Sequence, residues 1–372
     1  MKAVVLVGGL QASLRPMTLT LPLPLIPFVN KPLIMHQLQA LKEAGVTEVI
    51  FCINERKKIP STLTDALEQG EKELELKITI CQETEGFGTA GSLKMAEDHL
   101  VDKGAGEAPF FVVNSDVLCS YPLRDLLHVH MKSNCEGTIL TTISEQPHKY
   151  GVAVVDEKTG IVKHFVANPQ TFMSNVINAG VYVFNTSIFK RIASGRKVSM
   201  NEVLPKIASQ DLLHSMRLTG YWVKIVDSSS FMDAVGAHLE IMRFMTPGLL
   251  TSAAVAEAGG FTVNGDVMVH KTASIASGCI LGPRVVVGPS CVVESGVRLE
   301  DVTLLDSVTI CAHSLVKRSV IGWRSKISQW CFIENSLLGE EVEVLEALLL
   351  HGATVLPYKE LTENIRTEQI VI

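Results

Sequence analysis

The sequence predicts an α/β domain built on a parallel sheet, followed by a left-handed parallel β-helix. The first two-thirds of the chain alternates apolar runs with segments of helical periodicity, which is typical of strands joined by crossover helices. The last third carries aliphatic residues in steps of six, a period that neither a helix nor a strand produces. A chain of 372 residues has room for two such domains.

The α/β domain is indicated by alternating strand and helix patterns. Residues 2–7 form a short apolar run, as in a central parallel strand buried on both faces. The expected strands are 2–7, 46–53, 76–81 and 110–113, and the expected helices are 32–44, 61–72 and 91–100. Ligands of such sheets bind at the carboxyl ends of the strands, where Gly8, Gly9 and Asp116 lie.

The β-helix is indicated by a hexapeptide repeat. In such a repeat each face of a three-sided solenoid points one aliphatic residue inward. The unbroken series is Val263, Val269, Ile275, Leu281, Val287, Val293, Leu299 and Leu305, and after a slip it resumes at Ile321, Ile327 and Ile333. A solenoid of this kind offers a flat side or end for oligomerisation.

The domain boundary is expected in a stretch of small residues. Met245-Thr246-Pro247-Gly248 opens this stretch and Ala258-Gly259-Gly260 closes it. We therefore expect a nucleotide-binding type of α/β domain at residues 1–244, a linker at 245–261 and the β-helix at 262–372.

Composition excludes several classes of function. With 47% hydrophobic and 19% charged residues, the chain can bury a core, and its net charge of −6 without a basic run disfavours nucleic acid or an anionic membrane as partner. No apolar stretch reaches the roughly 18 residues of a membrane span. The cysteines, which form no C-x-x-C pair, are Cys52, Cys81, Cys119, Cys135, Cys279, Cys291, Cys311 and Cys331. They predict reduced, buried thiols in a soluble cytoplasmic protein.

Several motifs together resemble one enzyme family. They are Gly8-Gly9 followed by Leu14-Arg15-Pro16, Gly88-Thr89-Ala90-Gly91-Ser92, Asn114-Ser115-Asp116-Val117, Asn178-Ala179-Gly180, Ile321-Gly322-Trp323-Arg324 and Val355-Leu356-Pro357-Tyr358-Lys359. Over essentially its whole length the chain resembles mannose-1-phosphate guanylyltransferase, also called GDP-mannose pyrophosphorylase, and is most similar to the shorter, beta-type catalytic subunit. The resemblance implies a Rossmann-like nucleotidyltransferase domain that joins mannose-1-phosphate to GTP with Mg²⁺.

The resemblance also assigns roles to residues. The expected nucleotide-binding residues are Gly8, Gly9, Glu85, Gly88, Thr89, Ala90 and Gly91. Asn178 and Gly151 are expected to line the sugar pocket, and Asp116 matches the family's magnesium ligand. For the glycines a tight turn or a helix start is the alternative, and for Asn178 a capping role is.

Five charged positions of the family pattern are missing. The arginine, lysine, glutamate, lysine and aspartate of the family are replaced here by Ser13, Leu23, Ala167, Asn168 and Lys224. Lys224 reverses the charge at the position of the second metal-binding aspartate. Each lost transition-state stabiliser typically costs about 10²–10³ in rate, so catalysis is expected to be weak or absent.

Two functions follow from this pattern. The first is a non-catalytic subunit, a pseudoenzyme that binds nucleotide-sugar and forms homo- or hetero-oligomers with a catalytic guanylyltransferase. The alternative is an active guanylyltransferase that requires Mg²⁺ and acts on GTP and mannose-1-phosphate. The remaining possibilities are a different nucleotidyl transfer or a scaffold role. His128 and His130 stand two residues apart, so they do not share a helical face and do not predict a metal site.

Overall fold

The computed structural model describes residues 1–8, 13–54, 59–83, 85–101, 108–167, 169–193 and 195–372. It divides into two compact units. The first comprises Met1–Leu10 and Ile34–Lys224, and the second comprises Gln11–Leu33 and Ile225–Ile372.

The first unit contains a nine-stranded sheet and a separate strand pair. Its strands are β1 (Lys2–Val7), β4 (Glu48–Asn54), β5 (Lys77–Glu83), β6 (Pro109–Asn114), β7 (Val117–Cys119), β8 (Gly137–Ile143), β9 (Val152–Val155), β10 (Val162–Val166), β11 (Val176–Asn185), β12 (Leu213–Arg217) and β13 (Trp222–Lys224). Its helices are α2 (Leu33–Glu43), whose first residue falls in the second unit, α3 (Ser61–Leu74), α4 (Gly88–Met95), α5 (Glu97–Leu100), α6 (Leu123–Ser133) and α7 (Met200–Ala208).

The large sheet is mixed rather than wholly parallel. Strands β6, β1, β4 and β5 are parallel neighbours, as the sequence predicts. Strand β11 runs antiparallel to β6, β8 and β9, and β9 runs antiparallel to β10. The expectation of a parallel sheet therefore holds for the N-terminal half of the unit, where helices cross over between strands. It fails where strands follow one another without a long helix.

Most predicted elements of this unit lie within a few residues of the observed ones. The exception is the helix expected at 91–100, which begins at Gly88 and is divided into α4 and α5 at Ala96. Gly88 has a positive φ of 78° or less (76°), and a side chain there would meet the Val198 carbonyl oxygen at 2.8 Å. The helix therefore starts at the first glycine of the motif and not at the last.

The second unit is dominated by a parallel β-helix. Its strands are β14 (Thr262–Val263), β15 (Val267–Val269), β16 (Ser274–Ile275), β17 (Ile280–Leu281), β18 (Val285–Val287), β19 (Val292–Val293), β20 (Arg298–Leu304), β21 (Thr309–Ile310), β22 (Leu315–Ile321), β23 (Lys326–Ile327), β24 (Phe332–Glu334), β25 (Leu337–Leu338), β26 (Glu343–Val344), β27 (Leu349–His351), β28 (Ala353–Val355), β29 (Glu360–Leu361) and β30 (Gln369–Val371). The pairs in its two sheets are all parallel. The unit also holds α1 (Met17–Thr20) and the short pair β2 (Pro27–Phe28) and β3 (Lys31–Pro32).

The slip in the hexapeptide repeat has a structural cause. Leu281 pairs with Leu299, 18 residues on, whereas Leu299 pairs with Val316, 17 residues on. One of the three steps in each later turn is therefore five residues instead of six. Leu304 takes the inward position in the core, so the expectation of Leu305 as the inward residue is wrong, although Leu305 is also buried.

The corners of the β-helix use left-handed backbone conformations. Non-glycine residues with positive φ recur at 17-residue intervals in three series. These are Arg284, Asp301, Arg318 and Asn335; Ser290, Ser307, Arg324, Glu341 and Tyr358; and His313, Trp330 and Ala347. Each such residue costs roughly 1–2 kcal/mol in backbone energy, which the packed core of the solenoid must offset.

The expected linker contains regular structure. Helix α8 (Ser228–Met245) precedes it, and residues 245–261 hold a 3-10 turn (Pro247–Leu249) and helix α9 (Ala253–Ala258). Contacts assign α8 to the second unit, where the Thr303 hydroxyl lies 3.7 Å from the Met232 sulfur. The boundary at residue 245 stays a prediction. Among the described residues, no helix has both the length and the apolar composition needed to cross a bilayer.

Candidate functional site

The first unit contains a polar cavity of about 220 Å³. It lies beside the carboxyl end of β6, where the sequence predicts ligand binding, and β11 and β13 also contribute to its wall. The lining residues are Thr89, Asn114, Val117, Lys149, Tyr150, Gly151, Ala167, Asn178, Ala179, Gly180, Tyr182, Ser199, Met200, Asn201, Trp222 and Lys224. Pockets for drug-sized ligands usually measure roughly 300–1,000 Å³, so this cavity suits a smaller polar molecule.

One wall of the cavity is an irregular part of β11. The pairing of β11 with β8 shifts register between Asn178 and Tyr182. Within this bulge the Gly180 N–H donates to Asn178 Oδ1 at 3.1 Å, and Asn178 Nδ2 donates to the Tyr182 hydroxyl at 2.7 Å. Gly180 has a φ of +78°, and a side chain there would approach Asn114 Nδ2 to 2.7 Å. The glycine therefore allows the bulge to lie against the end of β6.

Asn178 and Gly151 both line the cavity, as the sequence predicts for a sugar pocket. Their structural alternatives are visible too, because the Asn178 amide supports the bulge and a side chain at Gly151 would meet Phe165 at 2.5 Å. An amide offers four hydrogen-bonding positions, so Asn178 can support the bulge and still contact a ligand. Direct binding by these two residues stays a prediction.

An aromatic pair forms a second wall. The Tyr150 and Trp222 rings meet edge to face, with centroids 5.3 Å apart. The Trp222 indole N–H donates to the Ala179 carbonyl at 2.8 Å, which fixes this ring against the bulge. Behind them, burial raises the pKa of Tyr182 to about 12, so this hydroxyl remains protonated at neutral pH. The sequence suggested a packing role for Trp222, and its place on the cavity wall was not foreseen.

The charged end of the cavity is formed by two lysines and an aspartate. Lys149 and Lys224 line the cavity, and Lys224 Nζ lies 3.5 Å from Asp116 Oδ2. Strand β13 pairs antiparallel with β7 so that Lys224 is opposite Val117, and this register places the ammonium beside the neighbouring Asp116. Both side chains are partly exposed, at 39% and 30%, so the ion pair is weak and can exchange partners.

The glycine motif after β5 is held by backbone hydrogen bonds. The Ala90 and Gly91 N–H groups both donate to the Val198 carbonyl, at 3.1 and 3.2 Å. Ala90 and Gly91 are buried, and exposed Thr89 lines the cavity while its hydroxyl accepts from the Met200 N–H at 2.9 Å. Among these predicted nucleotide-binding residues, Thr89 is the one that the structure brings to the cavity.

A buried carboxylate that the sequence analysis missed organises this motif. Glu83 is 1% exposed and accepts hydrogen bonds from the Phe87 N–H and the Ser92 hydroxyl. It therefore ties the end of β5 to the first turn of α4. Its signal in the sequence was available, because Glu83 ends a predicted strand just before the exposed Glu85.

The other predicted site residues are distributed over the chain. Gly8 follows β1 and is exposed, and Gly9 and Asn168 lie outside the described residues. In the second unit, the Ser13 carbonyl accepts from the Thr18 hydroxyl at 2.6 Å, and Leu23 is buried at 7% exposure. Asp227, considered as a substitute acid, is the N-cap of α8 and accepts from the Ser230 N–H at 2.9 Å.

The residues present do not fit a magnesium ion. Mg²⁺ is held by one or two carboxylates together with phosphate oxygens, and here the matching carboxylate faces an ammonium. In the described part of the chain, no group of three or more His, Cys, Asp or Glu side chains could hold a metal. His130 instead bonds to Thr138 and Asn185, at 2.9 and 3.1 Å.

Comparison with known proteins defines the class of this site. A family model described as Nucleotidyl transferase matches residues 2–240, and one described as GMPPB C-terminal domain matches residues 263–371. The first unit thus carries the site of a nucleotidyltransferase. A solved structure described as a putative glucose-1-phosphate thymidylyltransferase from Bacillus anthracis shares the fold, with a TM-score of 0.56 and 20% identity over 63% of this chain and 93% of its own.

Relatives of similar length narrow the class to a family. Mannose-1-phosphate guanylyltransferase 1 of Arabidopsis thaliana is 43% identical, and the mannose-1-phosphate guanylyltransferase catalytic subunit beta of Dictyostelium discoideum is 40% identical, each over 100% of both chains. The chain belongs to the mannose-1-phosphate guanylyltransferase family. The family resemblance seen in the sequence is confirmed.

Proposed function

We propose that this chain is a non-catalytic member of the family that supports GDP-mannose synthesis as a regulatory or structural subunit. It binds mannose-1-phosphate or GDP-mannose in the cavity of the first unit and assembles, in the cytoplasm, with a catalytic guanylyltransferase. The observation that carries the proposal is the Lys224–Asp116 ion pair, because an ammonium stands where the resemblance implies a second metal-binding carboxylate.

Retained binding is supported by the composition of the cavity. Asn114, Asn178 and Asn201 supply amides, and Lys149 and Lys224 supply positive charge. Amides pair with sugar hydroxyls as both donors and acceptors, and ammonium groups donate to phosphate oxygens. The volume of about 220 Å³ suits the hexose phosphate portion of the ligand better than a complete nucleotide sugar.

Loss of turnover is supported by the charge balance. Guanylyl transfer brings two phosphates together, and this step needs cations that neutralise the developing charge. The lysine and arginine positions of the family pattern hold Leu23 and Ser13, and the second acid position holds Lys224.

The first test measures formation of GDP-mannose from GTP and mannose-1-phosphate with Mg²⁺. The purified chain is compared with the Dictyostelium relative, whose name describes a catalytic subunit. We expect kcat/KM to be at least about 10³-fold lower, since several stabilising charges are missing. Turnover within about tenfold of the relative would instead support the alternative, an active guanylyltransferase that uses Mg²⁺.

The second test measures assembly. The chain is co-expressed with a catalytic homologue and analysed by size-exclusion chromatography with light scattering. A stable complex supports the subunit role, and the same experiment with the chain alone identifies homo-oligomers. Separate elution of the two proteins at micromolar concentration, combined with absence of ligand binding, would contradict the proposal.

A further inference from the structure

The position of Lys224 is set by the backbone rather than by a flexible loop. Strand β13 is only three residues long, but its pairing with β7 aligns Trp222 with Cys119 and Lys224 with Val117. Trp222 is further fixed by its hydrogen bond to Ala179. The ammonium of Lys224 is therefore held at the cavity wall beside Asp116, where it carries a permanent positive charge.

A fixed ammonium changes which cations the cavity accepts. A divalent ion at Asp116 would lie within a few ångströms of Lys224 Nζ and would be repelled, while its carboxylate ligand is already paired. The ammonium has three donors, and one of them serves Asp116. The remaining donors are available to an anionic oxygen in the cavity that Lys224 lines.

We propose that the Lys224 ammonium replaces the divalent cation, so that this chain binds a hexose phosphate or its nucleotide conjugate without Mg²⁺. The inference rests on the proposed function, because it concerns the same cavity and ligand class. It assigns Lys224 a positive role: the residue that removes the metal site also supplies the charge that a phosphate needs. Binding then no longer depends on the metal that the catalytic reaction requires.

Isothermal titration calorimetry of the full chain separates this inference from the proposed function. Mannose-1-phosphate and GDP-mannose are each titrated in EDTA and in Mg²⁺, with uncharged mannose as reference. We expect Kd values for the phosphorylated ligands to agree within about twofold between the two buffers, and mannose to bind at least about tenfold more weakly. Binding that appears only with Mg²⁺ overturns the inference and leaves the proposed function, whereas no binding in either buffer overturns both.

Variants test whether Lys224 itself supplies the charge. Lys224→Met keeps a long side chain and is expected to weaken binding of the phosphorylated ligands in EDTA at least about tenfold, with little change for mannose. Lys163→Met is the matched control, because Lys163 is similarly exposed at 43%, forms an ion pair with Asp211 and does not line the cavity. Binding by Lys224→Met within about twofold of the unchanged chain would overturn the inference.

Direct metal binding gives an independent measurement that needs no ligand. Mn²⁺ is titrated into the unchanged chain and into Lys224→Asp, and free Mn²⁺ is followed by electron paramagnetic resonance. We expect the unchanged chain to bind no Mn²⁺ at millimolar concentration and Lys224→Asp to bind it, because two carboxylates then face each other. Mn²⁺ binding by the unchanged chain that Lys224→Asp does not strengthen would overturn the inference.

Discussion

Cys52 and Cys81 lie directly opposite each other on the neighbouring parallel strands β4 and β5. Cys52 is buried and Cys81 is partly exposed. The Cys52 thiol donates a hydrogen bond to Cys81, and His99 adds positive charge, so that the pKa of Cys81 falls to about 6 against the opposing effect of burial. The pKa of Cys52 rises for the same reason, since its proton is shared with its neighbour.

Cys81 is therefore predicted to be the most readily alkylated of the described cysteines. A lowered pKa means that the thiolate is present above about pH 6 and lost below it. Labelling with iodoacetamide between about pH 5 and 9, followed by mass spectrometry, should show a midpoint for Cys81 well below the usual value of about 8.5. Cys52→Ser should raise that midpoint, whereas Cys119→Ser should leave it unchanged. A midpoint near 8.5 in the unchanged chain would contradict the prediction.

Glu83 is predicted to stabilise the first unit through its two hydrogen bonds to α4 and the preceding turn. Glu83→Ala removes the acceptor for the Phe87 N–H and the Ser92 hydroxyl. Because hydrogen bonds to charged groups contribute about 1.5–3 kcal/mol each, we expect the free energy of unfolding in urea to fall by at least about 2 kcal/mol. The exposed Glu85 provides the control, and Glu85→Ala should change it by less than about 0.5 kcal/mol. Equal effects of the two substitutions would show that Glu83 has no anchoring role.

Gly180 is predicted to be needed for two reasons, its positive φ and its closeness to Asn114. Gly45 separates these causes, because it also has a positive φ but has nothing within 4 Å of an added side chain. We expect Gly45→Ala to lower the free energy of unfolding by about 1–2 kcal/mol, which is the cost of the left-handed conformation. Gly180→Ala should cost more and should also weaken binding of mannose-1-phosphate in the cavity. If the two alanine variants unfold at the same urea concentration, the contact with Asn114 is not limiting.

His130 is predicted to reduce stability in mild acid. Burial lowers its pKa below the usual value, so the folded chain keeps the ring neutral where the unfolded chain already binds a proton. Stability should therefore fall as pH decreases through about 6.5, and the loss should end below the lowered folded pKa. His130→Asn is expected to flatten this part of the curve of unfolding free energy against pH, whereas the exposed His128→Asn should leave it intact. A slope that survives in His130→Asn would assign the effect to another group.

The fold was largely predictable because its signals are periodic. The apolar run of β1 and the hexapeptide series of the β-helix are repeated many times or flanked by clear glycine turns. The change from 18 to 17 residues per turn was visible only as a slip, because both Leu304 and Leu305 are apolar and the sequence does not show which points inward. The antiparallel strands were missed because β8 to β11 lack the helices that signal a crossover.

The candidate site was predictable residue by residue but not as an arrangement. The substitution at Lys224 was evident from the resemblance, whereas its ion pair with Asp116 depends on the register of two short strands. Glu83 and Tyr182 were missed for a related reason. Their importance comes from partners that are four to nine residues away and packed by the fold, as in the Glu83–Ser92 and Asn178–Tyr182 hydrogen bonds.

The regular corners of the β-helix have a consequence for how this half of the chain can change over generations. Arg284 on one corner bonds to Asp301 on the next, and Arg324 bonds likewise to Glu341, in each case 17 positions apart. Loss or gain of a single codon in a strand would misalign every later rung, while duplication of one full rung would preserve the alignment. Length variation among descendants should therefore come in whole rungs.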